Sequence, residues 1–137
     1  MANALYDKGR EHFLDGSLDW DTQDIRFVFT DHGEDTPVVA TDEDLDDIDD
    51  GSATIATSDT LASKTIAAGV ADAADSTVST VSGAEFESIN IYYHTGTAGT
   101  SLLIAYIDTA TGLPCTPNGG DITVQWDSSA NKKIFKL

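Results

Sequence analysis

The apolar positions of this chain recur at two spacings, and the spacings predict its elements. Near the start, Leu5, Gly9 and Phe13 fall at intervals of four, on one face of a short amphipathic helix over residues 3–14. Asp15 and Gly16 supply its stop, because glycine accepts the left-handed conformation in which helices often end. Over residues 24–30 the period drops to two. Ile25, Phe27 and Phe29 alternate with Arg26, Val28 and Thr30, as in a strand with one buried face. Residues 54–57, 64–68, Val70, 77–81 and 87–93 read as further short extended segments rich in Thr, Ile and Val, separated by Ser, Asp and Gly turn formers.

The last third repeats the pattern. Residues 102–107 form a strand, 108–112 a turn and 114–120 a loop rich in Pro, Asn and Gly; Ile122, Val124 and Trp126 then alternate inward on another strand. A turn at 128–131 leads into a final strand over 132–137, with Ile134 and Lys136 on one face and Lys133, Phe135 and Leu137 on the other. About eight strands, turns roughly every ten residues and one helix predict a mainly β fold, an antiparallel β-sandwich or barrel. At 137 residues the chain has the size of a single domain, 1–137, and no repeat of fixed period interrupts it.

One stretch departs from this alternation. Across the loop 31–51, seven acidic residues between Asp42 and Asp50 surround only two large apolar ones, Leu45 and Ile48. Their spacing of three allows one helical turn capped by Thr41, with carboxylate repulsion expected to leave the segment mobile.

Charge narrows the range of partners. Seven Lys and Arg against 24 Asp and Glu give a net charge of −17, which repels nucleic acid and anionic membrane alike. The longest uninterrupted apolar run, 102–107, is far too short to span a bilayer. Charged residues occupy the N-terminus where a secretion signal needs an apolar stretch, so the product is expected to stay in the cytoplasm that made it or to leave by a route other than a signal. A lone cysteine, Cys115, forms no internal disulfide and indicates no redox chemistry.

Candidate chemistry is sparse. Asp44, Asp46, Asp47 and Asp49 are weak candidates for a cation site, since hard divalent ions take several oxygen ligands. Counted from Asp46, however, the third and twelfth positions of a calcium loop hold Ile48 and Thr57, and a solvated acidic loop is the favoured reading. His12, His32 and His94 fall in three different elements with no paired spacing. Among so many aspartates a chance His–Asp neighbour is expected, so proximity in sequence supports no catalytic dyad. Cys115 reads as an incidental small residue. Glycines 96, 99, 119 and 120 lack a phosphate-loop motif and read as hairpin turns. Trp20 and Trp126 read as core rather than as a stacking platform. The most informative charge feature is the C-terminus, where Lys132, Lys133 and Lys136 supply three of the seven basic residues. With Ile134, Phe135 and Leu137 they form a basic, apolar strand suited either to docking an acidic partner or to relieving repulsion at a sheet edge.

The opening Met1 to Tyr6, the central 61–65, and above all residues 103–114, 116–126 and 133–137 resemble a group of small virion structural proteins of tailed bacteriophages, over nearly the full length. Cys115 stands where an apolar residue is expected, and 31–50 is more acidic than expected. The resemblance implies a head decoration or cement protein with a jelly-roll-like β fold, made in the host cytoplasm and bound to the exterior of the capsid. The implied partners are the major capsid protein and further copies of the chain, as a dimer or trimer; no cofactor and no catalytic residue come with it. Competing readings are a tail or neck component, or a carbohydrate- or calcium-binding β module.

Overall fold

The computed structural model describes residues 2–49, 51–127 and 134–137. In chain order its elements are β1 (Ala4–Leu5), α1 (Asp7–Asp15), β2 (Ile25–Thr30), β3 (Thr54–Thr57), β4 (Thr65–Ala67), β5 (Val70–Asp72), β6 (Ser76–Val78), β7 (Ser88–Tyr93), β8 (Leu103–Ile107), β9 (Ile122–Val124) and β10 (Phe135–Lys136), with 3-10 turns at Leu45–Ile48 and Ala98–Thr100. The fold is mainly β, and every strand pairing is antiparallel.

Five strands form the principal sheet in the order β1-β8-β7-β2-β3; the opposing layer consists of a three-stranded sheet, β10-β5-β4, and the pair β6-β9. The alternation in β2 fixes which face looks inward. Ile25, Phe27 and Phe29 meet Ile89 and Ile91 of β7, Ala71 and Phe135 of the three-stranded sheet, and Val78 and Val124 of the pair, in one apolar core. Phe29 stacks on Phe86 with centroids 4.2 Å apart, and Phe27 meets the edge of Trp126 at 5.8 Å, the two geometries that aromatic quadrupoles favour.

The single buried face expected of β2 is corrected: Val28 and Thr30 on its other face are fully buried as well. Val28 joins Tyr6, Ile48, Tyr92, Leu103 and Tyr106 in a second cluster, with Val39 and Leu45 packed against it. The acidic segment is therefore the cover of the outer face. Main-chain bonds strap it down: Asp7 N donates to Val39 O at 3.0 Å, Leu45 N to Ser101 O and Leu103 N to Glu43 O at 2.9 Å. A bulge in β8 makes this second face possible. The register shifts between Ile91 and Tyr92, which pair with Ala105 and Leu103, leaving Ile104 as the extra residue. Leu103 and Tyr106, three apart, consequently reach the same outer cluster.

The helix begins at Asp7 rather than at residue 3, because Ala4 and Leu5 pair with Tyr106 and Ala105 of β8 and are extended. Leu5 thus enters the core from a strand instead of sharing a helical face with Gly9 and Phe13. Gly16, with φ of 84°, ends the helix as expected. The 3-10 turn at Leu45–Ile48 is capped by Asp44 in a reciprocal box with Asp47, not by Thr41. Gly96 and Gly99 do lie in the β7–β8 connection. Gly119 and Gly120 do not make a hairpin: they lead into β9 and exchange main-chain bonds with Val81. The final strand is shorter than 132–137; the turn expected at 128–131 and residues Lys132 and Lys133 lie outside the described residues.

Candidate docking surface

Four large apolar side chains are exposed among the described residues, and three of them, Leu14 (89%), Leu137 (60%) and Ile66 (58%), gather around one part of the molecule. This region is built where α1 meets the three-stranded sheet. Gly9 sets the approach: a Cβ there would lie 2.6 Å from Leu103 O and 3.2 Å from Ile104 O, so only glycine lets the helix rest on the β8 bulge. With the helix seated, Phe13 reaches Phe135 (centroids 5.8 Å), and Trp20 meets Phe135 edge-on at 5.1 Å while donating its indole N–H to Asp72 O at 3.2 Å. Leu14, one residue beyond Phe13, is left facing solvent.

Two open clefts of about 340 Å³ flank this contact. One is lined by Leu5, Arg10, Phe13, Leu14, Lys136 and Leu137, and is almost wholly apolar between its two cations. The other runs from Phe13, Leu18 and Trp20 to Ile66, Val70 and Leu137. Arg10 is held by Asp7 at 2.8 Å and by the Leu5 carbonyl at 3.2 Å, which fixes its guanidinium beside the first cleft. Of the C-terminal docking candidates, Phe135 is buried and anchors the sheet, Ile134 is half-buried against the core, and Leu137 offers apolar surface. Phe135, expected as a docking residue, is instead taken into the core, while Leu137 at the chain end is left open. Sequence reasoning missed Leu14, because an exposed Leu at a helix end carries no signal until its neighbours are known.

The other candidate residues have structural occupations. Asp44 Oδ1 accepts from Asp46 N at 3.1 Å; Asp47 Oδ2 accepts from Glu43 N and Asp44 N at 2.8 and 3.3 Å; Asp49 Oδ1 accepts from Gly51 N and Ala53 N at 3.1 Å. These carboxylates organise their own backbone, and among the described residues no group of three His, Cys, Asp or Glu side chains is placed to hold a metal ion. Burial holds the Asp42 and Asp44 carboxyls above the usual carboxylate range, whereas the Arg26 guanidinium beside Asp24 holds that carboxyl below it.

The histidines stay apart. His12 Nε2 lies 2.9 Å from Glu43 Oε1 and ties α1 to the acidic segment, while the ring of His94 meets the Tyr92 edge. His32 Nε2 lies 2.8 Å from Ser88 Oγ, a pairing that suggests a nucleophile until its burial is considered. Ser88 is wholly enclosed, and its hydroxyl also accepts from Asn90 Nδ2, which donates to Thr30 Oγ1 as well; Tyr6 OH donates to Asn90 Oδ1 at 2.6 Å. The group is a satisfied polar network beneath the acidic cover. Burial pushes the Tyr6 and Tyr106 hydroxyls up, so both remain protonated donors. Trp20 and Trp126 are buried, as expected of large apolar residues and, for Trp126, of its place on the alternating strand. Cys115 is half-buried on a cleft of about 440 Å³ floored by Phe29 and Phe86, its backbone paired with that of Phe86.

No family model and no curated protein matches this chain. Among the described residues no helix is long and apolar enough to cross a membrane.

Proposed function

We propose that this protein is a non-enzymatic structural component of a tailed-phage virion, which binds the outer face of the head shell and stabilises it. The observation that carries the reading is the apolar corner of Phe13, Leu14 and Leu137, whose cleft is edged by Arg10 and Lys136 in a chain of net charge −17. Exposed apolar surface costs solubility, and its place on a folded domain marks a contact site. The cations beside it select an acidic rim on the partner, and the acidic remainder of the surface keeps unbound copies apart. A protein that binds only assembled shells stabilises them by mass action, without any bond being made or broken. The resemblance of nearly the full length to small phage virion proteins supports the same reading, as does the use of the acidic carboxylates in backbone capping rather than in an open ligand site.

The test is cosedimentation of the purified protein with undecorated shells at physiological salt. The expected outcome is saturable binding to the shells, lost on Leu14→Asp and on Leu137→Asp with the fold retained. Absence of sedimentable binding, or density for this chain in the tail or among packaged genome in images of whole particles, overturns the proposal.

A further inference from the structure

The three-stranded sheet has a second open feature at β4, whose Ile66 lines the second cleft together with Phe13, Trp20 and Leu137. In the order β10-β5-β4, β4 is the edge strand, and Thr65, Ile66 and Ala67 are all exposed. Ile66 lies opposite Ala71, and Ala71 lies opposite Phe135, so the three side chains form one row on the core-facing side of the sheet. Along that row Phe135 and Ala71 are buried, and Ile66 is not. The core therefore runs out at the edge of the sheet, under a strand whose outer side carries no neighbouring strand among the described residues.

Natural edge strands are commonly protected by charge, proline or a bulge. β4 has none of these: its three residues are uncharged, it pairs with β5 in unbroken register, and it closes through the two-residue turn Ala68-Gly69 with φ of 52° and 78°. The surrounding stretch 60–71 contains no Asp or Glu and one cation, Lys64, in a chain that holds 24 carboxylates. The ammonium of Lys64 is turned back onto the Gln23 carbonyl, away from the role of an edge charge. Two copies of net charge −17 repel each other over most approaches, and along this edge the residues that would face each other are uncharged, with Asp72 set back on the neighbouring strand opposite Thr65.

We propose that β4 is the seam of a symmetric homodimer, in which two β4 strands pair antiparallel about a twofold axis at Ile66. Thr65 then faces the partner's Ala67, and the two Ile66 side chains meet and cover each other. The product is a continuous six-stranded sheet, β10-β5-β4 followed by the same strands in reverse. Such an isologous contact uses one patch twice and closes on itself, so it does not propagate into fibres. The seam is on β4 and the docking corner on α1 and β10, at the other edge of the sheet, and both border the second cleft. Self-association and shell binding are read by different measurements, on Ile66→Asp and Leu14→Asp, so failure of one proposal is distinguishable from failure of the other.

Sedimentation equilibrium of the full chain decides it. The wild type is expected at about twice 14.5 kDa, and Ile66→Asp at the monomer mass with an unchanged far-ultraviolet spectrum, since the exposed position tolerates the change. In a Cys115→Ser background, Ile66→Cys is expected to cross-link into a covalent dimer under mild oxidation, because directly opposed residues lie within reach of a disulfide. A monomeric wild type, a trimer, or a dimer that survives Ile66→Asp and fails to cross-link at residue 66 overturns the proposal.

Discussion

The principal sheet and the three-stranded sheet share one core but are finished differently. In the principal sheet both faces are covered: aromatic and branched side chains of β2 and β7 fill the inner face, and Tyr6, Tyr92, Leu103 and Tyr106 pack under the acidic segment on the outer face. In the three-stranded sheet the apolar row stops at Ile66, and the helix beside it leaves Leu14 bare. The difference teaches where to look for function. Burial is concentrated where long-range segments close over both faces, and the contacts proposed here fall on the small sheet, whose β4 has no further strand beside it among the described residues.

Substitutions can break that contrast directly. Phe27→Ala, in the centre of the covered sheet and against Phe29 and Trp126, is expected to cost roughly 3–5 kcal/mol in urea unfolding through lost contacts and the cavity left behind. Ile66→Ala on the small sheet is expected to change the stability of the isolated monomer by no more than about 0.5 kcal/mol. Similar losses at the two positions would refute the division of labour.

An intermediate effect is expected at the joint between the two regions. Gly9→Ala gains up to about 1 kcal/mol in helix propensity, yet its methyl group would meet two backbone oxygens that cannot rotate away. Overpacking of this kind costs about 1–3 kcal/mol, so a net loss of stability is expected, with the Phe13–Phe135 contact disturbed first. A stabilised Gly9→Ala variant would show that the helix is free to ride up from the bulge.

The smallest effect concerns pH and separates carboxylates of opposite sign. Asp24, bound by Arg26, is more acidic folded than unfolded; its stabilising contribution is present above the unfolded value near about 3.9 and lost as pH falls through the folded value. Asp42 and Asp44 are less acidic folded than unfolded, so the native state gains protons first and gains stability as pH falls from neutrality through their raised values. Urea midpoints from pH 7 downwards are therefore expected to rise slightly and then fall. Asp42→Asn is expected to flatten the rise and leave the fall, and a monotonic decline in the wild type would contradict the assignment.

Much of this was legible in the chain itself. The period of two in 24–30 located β2, the Thr- and Ile-rich runs located β3, β4 and β7, and the positive φ of Gly16 was implied by its place after an amphipathic stretch. Those features follow from interactions between near neighbours, which sequence spacing records. Of the docking candidates, Leu137 stood out by composition and is exposed, and Phe135 stood out but is buried; Leu14 and Ile66 did not stand out, since one exposed Leu or Ile in a sequence looks like any other.

Local pattern thus determined the antiparallel β class, the single helix and its glycine stop, because backbone preference and side-chain alternation act over a few residues. Tertiary structure alone decided that Ala4 and Leu5 would join β8, that the acidic segment would roof a second core, and that His32 and Ser88 would meet in an enclosed network. Those outcomes depend on contacts between residues tens of positions apart, and their physical cause is the burial of whichever faces remain apolar once the strands have paired.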